Sequence, residues 1–187
     1  MPRLLLGGVV GGLAMWFVGF IFWGTPLSYL AFTVAPDAQG LAVQAALAEN
    51  LGPTGTGAYP IPWPGTNAGT SAYGNGPTAM VLFNNNGFPV VDSSALIGGL
   101  VLAILCALVI AAALRSFTQG ASFGTRMKLV ALFAVAITVY VDLGQPIFNH
   151  APWGYFLFAW VADLVSFLAA GAVISRWFMP RQLPGAD

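Results

Sequence analysis

Four apolar runs, each about as long as the roughly 20 residues a helix needs to cross a bilayer, leave this chain few folds to choose from. They extend from Leu4 to about Gly24, from Ser94 to Leu114, from just after Lys128 to near Phe148, and from Trp153 to Phe178. A water-soluble fold would leave much of this apolar surface exposed, because 58% of the residues are hydrophobic and only 6% are charged. An ordinary soluble domain carries about 25% charged residues. Mean hydropathy is +0.80. The lipid bilayer is therefore the expected solvent.

The six basic residues orient the runs. Arg3 precedes the first, Arg115, Arg126 and Lys128 fall between the second and third, and Arg176 and Arg181 follow the fourth, while Gly24 to Asp92 holds no Lys or Arg. Basic residues near spans stay preferentially in the cytoplasm. A single topology satisfies all three groups, with four spans and both termini cytoplasmic. The first run is too long for the apolar part of a cleavable signal peptide and reads as an uncleaved anchor. The chain thus divides into a first span (1–24), an exoplasmic insert (25–92) and three further spans with a short cytoplasmic loop, Arg115 to Lys128, and a frayed tail, Pro180 to Asp187. Six acidic residues balance the six basic ones, which leaves no basic footprint for nucleic acid.

Small residues mark the first two spans. Gly7, Gly8, Gly11, Gly12 and Gly19 form overlapping G-x-x-x-G spacings, and Ala95, Gly99, Ala103, Ala107 and Ala111 recur every four residues. Such faces let helices approach closely in lipid. The third and fourth spans are separated by a short turn and are expected to pair as an antiparallel hairpin. Trp153, Tyr155 and Trp177 suit an interfacial aromatic belt.

In the insert, Asp37 to Asn50 reads as a helix that Asp37 caps and Gly52-Pro53 stops. Gly55 to Pro64 is too rich in Gly and Pro for regular structure. Thr78 to Phe83 reads as a strand, Asn84 to Gly87 as a turn, and Phe88 to Val91 as the returning strand. A segment this small buries too little to stand alone, so docking onto the helix ends is expected. The fold class is mainly α: a four-helix transmembrane bundle with a small α+β exoplasmic cap between helices one and two.

With these segments placed, the chain resembles a set of small bacterial inner-membrane proteins of unknown function. The resemblance is carried by Gly57-Ala58-Tyr59-Pro60-Ile61-Pro62 after a helix and by Gly76-Pro77 leading into Thr78 to Leu82. In the last span Asn149, Tyr155, Asp163 and Gly171 carry it. It implies a signal-anchor helix, an exoplasmic insert, three more helices and a multi-pass place in a bacterial inner membrane. It implies no activity.

Asp163 is the sharpest anomaly. It lies about 15 Å along the fourth span at 1.5 Å per residue, where a charge costs roughly 2.5 to 3.5 kcal/mol. Intramembrane acids face the bundle interior or a hydrated cavity and are functional candidates by default. Ala159, Asp163, Ser166 and Ala170 share one face, and Thr138, Asp142 and Gln145 share a face of the third span. Facing each other, the two stripes are expected to enclose a small polar pocket. Two carboxylates there repel when both are ionised, so one is expected to hold a proton. That chemistry suits a proton relay or cation site. The alternative is structural: each acid neutral, hydrogen-bonded to a hydroxyl or carbonyl, and holding the helices in register.

Other candidates are weaker. His150 reads as a surface hydrogen-bonding residue, Cys106 as a packing thiol, and no metal site or cofactor is expected. Tyr59 and Trp63, two aromatics among prolines, form either a partner surface or part of a rigid connector. The leading functional reading is a non-enzymatic accessory or structural subunit presenting its cap to a protein partner or to further copies of itself. The alternative is a small proton- or cation-coupled transporter using Asp142 and Asp163.

Overall fold

The structure, a computed structural model, describes residues 2–180. Arg181 and the rest of the predicted frayed tail beyond Pro180 lie outside the described residues. The chain is mainly helical, with six α-helices and one two-stranded sheet among the described residues. It falls into two compact units, one of residues 1–32 with 92–187, the other of Thr33–Val91.

The first unit holds four long helices: α1 (Pro2–Trp23), α4 (Ser93–Phe117), α5 (Phe123–Asn149) and α6 (Trp153–Val173), the last running on as a π-helical turn, Ile174–Phe178. All four are long and apolar enough to cross a membrane. Helix α1 packs between α4 and α6, and α5 packs on α6. The glycines of α1 explain its position. Gly8 and Gly12 lie against Leu108 and Ile104 of α4, and Gly7 and Gly11 lie against Phe178 and Ile174. A Cβ at Gly12 would stand 2.5 Å from the Ile104 α-carbon, so side chains there would force the backbones apart. The α1 ladder up to Gly12 and the α4 face from Ala103 to Ala111 are thus used within the chain, whereas Gly19 of α1 meets nothing within 4 Å and Ala95 and Gly99 of α4 are exposed.

Helix α5 buries Arg126, Val130, Ala134, Thr138, Asp142 and Pro146 at a strict four-residue spacing, and α6 answers with Ala159, Ala162, Ser166, Ala170 and Gly171. Val130 fills the gap over Gly171. The expected α5/α6 hairpin is present, but the loop before it is shorter than its polarity suggested. Arg115 lies in the last turn of α4, and Arg126 and Lys128 lie inside α5, leaving Thr118 to Ser122 as the connection. Ser122 caps α5, its Oγ accepting from the Thr125 amide at 3.2 Å. Arg126 is 2% exposed and donates to the carbonyls of Pro180 at 2.6 Å and Thr118 at 3.4 Å. Through this clamp, and through Gly7 against Phe178, the described basic residues collect at one end of the bundle. At the other end Trp23 packs edge-on against Phe158 at 5.1 Å and against Tyr155 and Phe32 at 5.7 and 6.2 Å. Tyr155 therefore belongs to a half-buried aromatic cluster, while Trp153 and Trp177 are exposed.

Asp92 caps α4. Its Oδ1 accepts from the Ser94 hydroxyl and from the Ser94 and Ala95 amides. The Ser94 hydroxyl, followed by the Ala95 amide, holds the Asp92 carboxyl below its ordinary value of 3.8. A carboxyl depressed on folding contributes its stability above the unfolded value and loses it as pH falls through the folded one. Amide exchange at Ser94 and Ala95 should accelerate as pH drops below about 4, after correction for intrinsic rates. Asp92→Ser, a neutral cap, should remove that pH dependence.

The second unit differs from its expected form in four ways. Helix α2 (Asp37–Leu51) starts where foreseen, but Pro36 occupies the capping position and Asp37 lies in the first turn. The Gly/Pro-rich stretch is not irregular. Gly57–Ile61 is strand β1, pairing antiparallel with β2 (Ala79–Phe83), Tyr59 opposite Val81. The predicted return, Phe88 to Val91, forms no strand. A ribbon of two strands has two free edges, where the missing N–H of a proline is tolerated. Between the strands lies an unforeseen helix, α3 (Asn67–Asn75), capped by Thr66, whose Oγ1 accepts from the Gly69 amide at 3.0 Å. No residue of this unit is buried.

Candidate functional site

Packing sets the rotation of α6, and that rotation decides where Asp163 points. The buried stripe of α6 runs Ala159, Ala162, Ser166, Ala170. Ala162, and not Asp163, takes the second place in it. One residue further on, about 100° around the helix, Asp163 is exposed. It opens into a cleft of about 540 Å³ between α1, α4 and α6. Ser166 shares that cleft, with its hydroxyl donating to its own helix at Ala162 O, 2.7 Å away.

This cleft takes in Asp163 and Ser166 of the α6 stripe but none of Thr138, Asp142 and Gln145 of the α5 stripe. Thr138 and Asp142 are buried in α5, and neither lines the cleft. Thr138 Oγ1 donates to Ala134 O at 2.8 Å, and Gln145 Oε1 accepts from Asn149 Nδ2 at 2.7 Å. The hydroxyls and the amide are occupied along their own helices. Among the described residues no hydrogen bond reaches either carboxyl group, so the hydroxyl-to-acid bonds of the structural alternative are not formed.

Sequence reasoning missed the other walls of the cleft. Trp16, Phe20 and Trp23 line it from α1, at i, i+4 and i+7, and small residues Ala95, Gly99 and Ala103 line it from α4. Trp16 stacks on Phe20 with ring centroids 5.9 Å apart, and its indole N–H donates to Leu96 O at 3.2 Å. The signal was present: the helical spacing of three large aromatics begins where the tight glycine ladder ends. Cys106, half-buried, also borders the cleft. His150 instead ends α5 in a left-handed turn, φ 52°.

The two proposed partner-surface aromatics of the other unit face different surroundings. Tyr59 is half-buried; its hydroxyl donates to Gly55 O at 2.6 Å and its ring meets Phe83 edge-on at 6.3 Å. Trp63 is 61% exposed. On the ribbon, Val81 and Phe83 share the half-buried side with Tyr59, and Ala58, Met80 and Leu82 form an exposed apolar side. Leu82 is 82% exposed.

No protein-family model matches the chain, and comparisons with curated proteins and with solved structures find no match. The resemblance to small bacterial inner-membrane proteins thus has no family match behind it. The class supported by the fold is a multi-pass membrane protein with four candidate spans.

Proposed function

We propose that the chain is a non-enzymatic accessory subunit of a membrane assembly, anchored by its four helices and presenting the unit Thr33–Val91 to a protein partner. One observation carries this reading. The unit has regular helices and a paired ribbon, yet none of its residues is buried. Folded segments of this size need apolar burial to offset their conformational entropy. Met80, Leu82, Trp63 and Leu41 offer apolar surface that a partner can cover. The free ribbon edges offer backbone groups for an added strand. A second copy of the chain is one form such a partner can take. The collection of the described basic residues at one bundle end supports cytoplasmic termini, and the resemblance supports a bacterial inner membrane.

Purification in mild detergent tests the reading. The chain should elute with a stoichiometric partner or as a homo-oligomer, and Leu82→Asp should release that partner while leaving the bundle folded. A monodisperse monomer, or an assembly indifferent to Leu82→Asp, would count against it.

A further inference from the structure

The cleft of the helical unit has a composition that the accessory reading does not use, and the inference from it is independent of that reading. Its cavity of about 540 Å³ falls within the roughly 300–1,000 Å³ of small-molecule sites. Asp163 supplies a carboxyl group about midway along the span, and no Lys or Arg lines the cleft. We propose that this cleft binds an amphipathic organic cation, its charge on Asp163 and its apolar body against Trp16 and Trp23.

The walls select this class of ligand. An anion would meet an uncompensated carboxylate, and a neutral lipophile would leave the carboxylate desolvated without a partner. A hydrated inorganic ion would have to shed water onto a mainly apolar lining for a single carboxylate and one hydroxyl already bonded to its own helix. An organic cation with a spread charge avoids that cost and gains from indole faces, the strongest aromatic partners for cations. The Trp16 indole is held in place by its bond to Leu96 O, so its ring is set before a ligand arrives. Gly19 and Gly99 keep the space clear: a Cβ on Gly19 meets nothing within 4 Å, and one on Gly99 comes no closer than 3.9 Å to Trp16.

The test is titration of the full chain, in nanodiscs of zwitterionic lipid, with tetraphenylphosphonium, read by tryptophan fluorescence. Saturable quenching is expected, with triphenylphosphine oxide, a neutral analogue, failing to compete. Asp163→Asn should weaken binding by at least about tenfold, equivalent to about 1.4 kcal/mol. Gly19→Leu fills the cleft, leaves the carboxyl in place, and should abolish binding in a monodisperse protein; it carries the test if Asp163→Asn does not fold. Absence of saturable binding, equal competition by the neutral analogue, or unchanged affinity in the folded variants would overturn the proposal. None of these outcomes bears on the cap.

Discussion

Gly12→Leu should dismantle the bundle, lowering stability by at least about 3 kcal/mol, at or beyond the upper end for overpacked cores. The magnitude follows from what the added side chain meets. At most overpacked sites a neighbouring side chain can turn aside; here the Cβ alone would lie 2.5 Å from the Ile104 α-carbon and 2.8 Å from its nitrogen. Only separation of α1 from α4 relieves that contact, and α1 also packs on α6. Gly98→Leu is the matched control, because a Cβ there meets nothing within 4 Å. Thermal unfolding in detergent should show the first variant melting far below the parent and the second close to it. Equal melting of the two would refute the glycine-mediated contact between α1 and α4.

The second large effect has the opposite sign. Asp142→Val should stabilise the protein by about 1 kcal/mol, the lower end of the cost of an unpaired buried polar group, because the Asp142 carboxyl accepts no hydrogen bond among the described residues yet is not wholly enclosed. Asp142 is 8% exposed, its neighbour Thr138 bonds its own helix, and no basic residue accompanies it in the buried stripe beyond Arg126 at the far end. A valine fits the same stripe of Val130, Ala134 and Pro146 without polar atoms to satisfy. Denaturant unfolding of parent and variant in the same micelles measures the difference. A loss of stability of similar size would show that the carboxyl has a partner in the folded protein, whereas it accepts no hydrogen bond among the described residues. A stabilising substitution would also mean that the acid is kept at a cost, as residues retained for activity are.

The four helices were legible because span length and hydropathy are local properties that tertiary packing does not override. The glycine ladder of α1 was legible for the same reason, although its two partners, α4 and the end of α6, were not. Asp163 was legible as an anomaly, but its surroundings were not. Whether Ala162 or Asp163 enters the buried stripe depends on a rotation of about 100°, which packing against α5 decides. Strand β1 was hidden because Pro60 and Gly57 read as breakers, whereas a two-stranded ribbon accommodates them at its free edges. Helix α3 was hidden because Asn67 to Asn75 has no apolar stripe; only Thr66 at its cap marked the start.

The accessory reading is tested most directly by a photoreactive amino acid placed at Leu82 in the intact membrane. The account predicts one discrete adduct with a single protein, or with a second copy of the chain, at near-stoichiometric yield and lost on Trp63→Asp or Met80→Asp. Adducts with lipid alone, or a protein adduct unchanged by both substitutions, would contradict it.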